Sequence, residues 1–169
     1  MSDLRERQAP IKARYRDEPE SAQFTLRAEG SLGEEKLTCN VNTGRGLLEA
    51  GLHPATGGDG LSLCSGDMLL EALVACAGVT LRAVASALEV EVRGGTIIAE
   101  GTLDFRGTLA ISKDVPVGFR DIKLRFQLDT TATDDQLATL LKLTERYCVI
   151  YQTIKHPPEA SGEIGRLKA

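Results

Sequence analysis

The run from Ser65 to about Leu88 constrains the fold more than any other stretch of this chain. It is rich in Ala and Leu and apolar nearly all round, the pattern of a helix covered on most sides. Ser65 stands where an N-cap belongs, and Asp67 falls in the first turn near the positive helix end. Ala72, Ala75, Ala77 and Gly78 are small, so another backbone can approach closely. Glu71 and Arg82 interrupt the apolar run, which argues against a membrane span. One small sheet cannot cover so much apolar surface, and a homodimer is therefore expected.

The rest of the chain is patterned in short alternating segments. Ile11–Arg16, Gln23–Glu29 and Lys36–Asn42 read as three strands, separated by turns at Asp17–Ser21 and Gly30–Glu35. Thr43 to Gly46, a short apolar piece and the glycine-rich His53–Gly60 follow. That loop is too irregular for a Rossmann or Walker motif and reads as a connection from sheet to helix. Beyond the long helix, Glu91–Arg93 and Thr96–Asp104 read as strands and Gly107–Gly118 as a loop insertion. In Arg120–Leu128, residues Ile122, Leu124, Phe126 and Leu128 share one face and charged or polar residues the other. Thr133 or Asp134 caps a second helix running to about Lys155, with Leu137, Leu141, Thr144 and Cys148 on one stripe. His156-Pro157-Pro158 stops it, and Gly162–Leu167 reads as a final strand. The order βββ-α-βββ-α-β groups strands rather than alternating them with helices. This gives an α+β fold with largely antiparallel sheets around two long helices.

Composition narrows the function. At 169 residues the chain reads as a single domain, 1–169, with residues 1–10 a loosely ordered N-terminus. Only 4% of residues are aromatic and none is Trp, so the core must be mainly aliphatic. A net charge of −4 argues against nucleic acid as the main partner. The first fifteen residues are polar and lack the apolar core of a secretory signal, so the expectation is a cytoplasmic protein with no membrane partner. Four cysteines, no C-x-x-C and two histidines, His53 and His156, leave no obvious metal site, and no cofactor is expected.

The cysteines then become the centre of interest, because paired thiols in a reducing compartment are more often reactive than structural. Cys76 shares a stripe with Leu69 and Leu73 in the first long helix, and Cys148 lies on the inward stripe of the second. Each alone reads as a packing residue, and spacing alone does not bring them together, since a disulfide needs Cα atoms within about 7 Å. Cys64, just before the helix cap, is a rival, because helix N-terminal amides lower a thiol's pKa. Cys39 reads as strand packing.

The run Ser65-Gly66-Asp67-Met68-Leu69-Leu70-Glu71-Ala72-Leu73-Val74-Ala75-Cys76-Ala77-Gly78 resembles the central helix of the OsmC/Ohr family of peroxide-reducing proteins. Glu145-Arg146-Tyr147-Cys148-Val149-Ile150-Tyr151-Gln152-Thr153-Ile154 resembles that family's second helix, and the likeness spans roughly Ile11 to Leu167. The resemblance implies an intertwined OsmC-like homodimer that reduces organic hydroperoxides, with Cys76 as peroxidatic and Cys148 as resolving thiol. It also implies a dithiol reductant, a lipoylated protein or similar. The family places a Glu ten residues before the first cysteine, where this chain has Gly66; Asp67 is the adjacent candidate. The family also holds the thiolate with an Arg from the N-terminal strands. Arg14, Arg16, Arg27 and Arg45 are available, and Arg16 is favoured because it precedes the first turn. A dimeric small-molecule binding protein with little peroxidase turnover is the alternative, favoured by Gly66. A stress protein with inert, buried cysteines is the third reading.

Overall fold

The structure is a computed structural model that describes residue 17 and residues 29–32, 38–42, 47–110 and 112–166. The expected strand at 11–16, most of that at 23–29, and Arg14, Arg16, Arg27 and Arg45 lie outside the described residues.

The N-terminal part is a four-stranded sheet in the order β1 (Glu29–Leu32), β2 (Thr38–Asn42), β3 (Leu47–Gly51) and β4 (Leu63–Cys64). The first three strands form an antiparallel meander, with Gly30 opposite Val41 and Cys39 opposite Ala50. The turn expected at Gly30–Glu35 gives way to strand as far as Leu32. The short apolar piece before the glycine-rich loop is β3. In that loop His53 caps a 3₁₀ turn at Pro54–Thr56, its Nδ1 accepting from the Ala55 N–H at 3.0 Å. Gly57 takes the left-handed φ of 93° that ends the turn. A Cβ on Gly58 would stand 1.8 Å from the Leu52 carbonyl oxygen, so only glycine fits there. The loop returns the chain to β4, which pairs parallel to β3 with Gly51 opposite Cys64.

From Cys64 the chain enters helix α1 (Ser65–Ala87). The N-cap is Cys64, not Ser65, and its side chain makes no capping hydrogen bond. Leu73, Ala77, Leu81, Val84 and Ala85 form the buried stripe. At the small residues the close neighbour is a side chain rather than a backbone: a Cβ on Gly78 would meet Ile97 Cδ1 at 2.9 Å, and Ala72 and Ala75 are exposed. The helix ends without glycine: Glu89 takes a left-handed φ of 57°, and the Val90 N–H reaches back to the Ala85 carbonyl at 2.9 Å.

A hairpin of β5 (Gly94–Thr102) and β6 (Asp121–Asp129) covers α1, in register from Gly94 opposite Asp129 to Thr102 opposite Asp121. β6 alternates as its sequence predicts, with Ile122, Leu124, Phe126 and Leu128 turned inward. Glu91–Arg93 is not a strand: it is tied to the sheet at Arg93, whose N–H donates to the Asp129 carbonyl at 2.9 Å and whose guanidinium Nε donates to the Asp129 carboxylate at 3.0 Å. The connection between the strands begins with a one-turn helix, α2 (Phe105–Thr108), where a loop is expected from Gly107.

Helix α3 (Asp134–Tyr147) starts at a capping box, Thr133 accepting from the Gln136 N–H and Gln136 reaching back to the Thr133 N–H. The second helix is not continuous to Lys155: it breaks at Cys148, whose backbone is extended, and α4 (Val149–Lys155) follows. The buried stripe is Leu140, Thr144 and Cys148, whereas Leu141 is exposed. The helix stops at His156 before the two prolines, as expected, and no strand forms over residues 162–166. The observed order is therefore ββββ-α-β-α-β-α-α, an α+β fold built of small, mostly antiparallel sheets and helices.

Candidate functional site

Helices α1 and α3 pack through Leu81, Val84 and Leu140 at one end of their contact. At the other end Leu73 and Ala77 of α1 meet Cys148, and Cys76 joins the same cluster with Ile150 and Tyr151 of α4. The structure thus brings the two predicted thiols together. Cys148 is completely buried, Cys76 is half-buried, and both are free thiols.

The helix break creates the chemistry of the site. Cys148 has φ −73° and ψ 108°, extended rather than helical. Its N–H still donates to the Thr144 carbonyl at 2.9 Å, and the Gln152 N–H donates to the Cys148 carbonyl at 2.9 Å. Between these two bonds the N–H groups of Val149, Ile150 and Tyr151 find no backbone acceptor among the described residues. Buried or half-buried N–H groups need partners, and here the sulfurs take that place. Ile150 and Val149 donate toward Cys76, while Tyr151 and Ile150 donate toward Cys148.

These contacts separate the two thiols electrostatically. Burial raises the pKa of Cys76, but the Ile150 N–H, the Cys148 thiol, the Val149 N–H and the Thr80 hydroxyl together outweigh it, and the net shift is downward. Cys148 moves the opposite way, because burial and its position beside Cys76 hold its proton. The arrangement favours the thiolate at Cys76 and the protonated thiol at Cys148, the two sulfurs being hydrogen-bonded to each other. A low-pKa, partly accessible sulfur next to a second thiol is the pattern of a redox pair.

The other candidates lie elsewhere. Cys64, half-buried at the head of α1, is twelve residues from Cys76. At 1.5 Å per residue that is about 18 Å along the helix, too far for a disulfide between them. Asp67 is exposed in the first turn, about 13 Å along the axis from Cys76 by the same rise. Gly66 sits against Phe119, Cys64 and Leu103, where an added Cβ would make ordinary contacts at 3.5–3.7 Å. Arg16 and the side chain of Cys39 lie outside the described residues. Among the described residues, the groups that act on the Cys76 sulfur are amides, a hydroxyl and a thiol, with no cation. No cluster of three or more His, Cys, Asp or Glu side chains forms a metal site among those residues.

Sequence reasoning did not find Thr80 or the amides of Val149 and Ile150. Thr80 was open to discovery, since it stands four residues after Cys76 on one helix face. The amides were not, because neither proline nor glycine marks the break. Thr144, one turn before Cys148, is fully buried, and its hydroxyl has no partner among the described residues. An apolar cavity of about 410 Å³ opens between α1, β6 and α3, lined by neither cysteine. Leu124 and Phe126 line it and also pack toward the cysteine cluster.

Residues 57–161 match the family model described as OsmC-like protein. No curated protein matches the chain. Among solved structures, an OsmC-like protein from Mycoplasma pneumoniae has a TM-score of 0.67 at 14% identity, covering 80% of this chain and 90% of that one. An organic hydroperoxide resistance protein OsmC from Legionella pneumophila has a TM-score of 0.59 at 16% identity, covering 80% and 92%. The organic hydroperoxide resistance protein OhrB of Bacillus subtilis has a TM-score of 0.52 at 17% identity, covering 79% and 93%. At these identities the likeness is one of fold.

Proposed function

The chain belongs to the OsmC-like protein family, and from that premise we propose that it reduces organic hydroperoxides through a Cys76 sulfenic acid that Cys148 resolves. The observation that carries this reading is the hydrogen-bonded pair itself, a thiolate-favouring Cys76 beside a protonated Cys148. The Cys76 thiolate attacks one peroxide oxygen, an S–O bond forms, and the O–O bond breaks. The alkoxide leaves and takes up a proton to become the alcohol. Cys76, oxidised by two electrons, is now a sulfenic acid. The Cys148 sulfur then attacks it, an S–S bond forms, and the hydroxyl leaves as water. An external dithiol, of the kind a lipoylated protein carries, returns both thiols by exchange and is itself oxidised to a disulfide. The apolar surroundings of the pair favour organic hydroperoxides over hydrogen peroxide. The working unit on this reading is a cytoplasmic homodimer.

Thiol titration before and after one equivalent of cumene hydroperoxide tests it. The wild type should lose two thiols per chain. Cys148→Ser should lose only Cys76, as a sulfenic acid that a cyclic dione traps. An unchanged thiol count in the wild type would overturn the reading.

A second reading rests on Gly66, which stands where family members that reduce peroxides carry Glu. It makes the protein a dimeric small-molecule binder with little turnover. A wild type near inactive, with a sharp rise in peroxide consumption in Gly66→Glu, would favour it.

A further inference from the structure

The break at Cys148 is unusual in its sequence. From Glu145 to Gln152 the chain reads Glu-Arg-Tyr-Cys-Val-Ile-Tyr-Gln, with no residue that forbids helix. A continuous helix would hydrogen-bond the amides of Val149, Ile150 and Tyr151 to the carbonyls of Glu145, Arg146 and Tyr147. Opening it frees groups on both sides, and something must compensate.

Two side chains beyond the break return to one residue before it. The Gln152 side-chain amide donates to the Glu145 carbonyl at 2.8 Å, taking the acceptor that the Val149 N–H would otherwise claim. The Tyr151 hydroxyl donates to the Glu145 carboxylate at 3.1 Å. All three residues are half-buried, and the Tyr151 ring packs in the cluster that holds both cysteines. Glu145 is therefore tied through its backbone and its side chain to the first turns of α4.

We propose that Glu145, acting through Tyr151 and Gln152, is a positioning residue that holds the helix open at Cys148 and so directs the Val149 and Ile150 amides onto the Cys76 sulfur. If the clasp is lost, the Val149 N–H can reclaim the Glu145 carbonyl, the helix closes, and the sulfur loses donors. This rests on Cys76 being the reacting thiol. Among the described residues, the titratable and charged groups around the clasp are the two cysteines, Glu145, Arg146 in the last turn of α3, Tyr151 and Lys155, whose ammonium stands 5.7 Å from the Tyr151 ring centre.

The test is the pH profile of iodoacetamide alkylation at Cys76, followed on the Cys76 peptide by mass spectrometry in the full-length protein. Gln152→Leu should slow alkylation at pH 7 by about tenfold, the change expected for one unit of pKa, and move the profile to higher pH. Tyr151→Phe should move it the same way by less. Glu145→Gln keeps the backbone acceptor and an oxygen for the Tyr151 hydroxyl, and should match the wild type. Profiles for Gln152→Leu and Tyr151→Phe that superpose on the wild type would overturn the proposal. So would a Glu145→Gln profile as displaced as theirs, since charge rather than the clasp would then be responsible. Tyr151→Phe removes one oxygen and keeps the test answerable if Gln152→Leu does not fold. Alkylation needs no peroxide, so a wild type that fails to consume hydroperoxide sinks the peroxidase reading without deciding this one.

Discussion

Two identical side chains, 72 positions apart in sequence, acquire opposite chemistry because their hydrogen-bond partners differ. Cys76 accepts from the Ile150 and Val149 amides, the Thr80 hydroxyl and the Cys148 thiol, whereas Cys148 keeps its proton and donates it in a hydrogen bond to Cys76, and is more deeply buried. The sign of the pH dependence follows. A lowered pKa means that Cys76 loses its proton first as pH rises, and a raised pKa means that Cys148 loses its proton last. Between the two lies a window in which the pair exists as thiolate and thiol. Site-resolved alkylation across pH 5 to 11 should therefore give a midpoint for Cys76 below that of an ordinary thiol and one for Cys148 above it. The reverse order would show that Cys148 is the nucleophile. Both cysteines were legible in the sequence, and resemblance to a family implied different roles for them. The physical cause of the difference was not legible, because it depends on which backbone amides stand nearby.

Among the secondary-structure elements, the end of α1 departs most plainly from what its residues prefer. Glu89 is held at a φ of 57° with no glycine to relieve it. A non-glycine residue in that region costs about 1–2 kcal/mol. The chain accepts it because two carbonyls of the last turn are satisfied and Val90 is carried into the core between α1 and α3. Glu89→Gly should thus raise stability by about 1 kcal/mol, read as a higher urea midpoint at unchanged slope. A lower midpoint would mean that the Glu89 side chain holds the turn by a contact that outweighs the strain. The same contrast appears in the second helix. Its start was legible, because Thr133 and Gln136 form a capping box by local sequence alone. Its break was invisible, because the side chains that stabilise it reach across the bend from Gln152 and Tyr151.

The whole molecule leaves apolar surface uncovered. By length and composition α1 could cross a membrane, yet it packs against β5, α3 and α4 along its buried stripe. Off that stripe Val79 is 74% exposed, and Leu47, Leu61 and Val149 are each more than 60% exposed. Surface of this kind on several elements at once fits burial against a second copy. Light scattering on the eluting protein should give the mass of two chains, and Val79→Lys should shift the mass toward one. A monomeric wild type would overturn the dimer.

By itself the sequence determined the fold class, the long helix at residues 65–87, the alternation of β6 and the capped start of α3. These depend on periodicity and local capping, which a linear string contains. It also singled out Cys76 and Cys148. Only the tertiary structure decided that the two thiols meet and that the second helix opens at Cys148. It also decided that three freed amides, rather than a charged side chain among the described residues, surround the sulfurs. Backbone amides are the same at every position, so no choice of residue announces where they will point. That depends on the break, and the break is stabilised by contacts that exist only once the chain has bent.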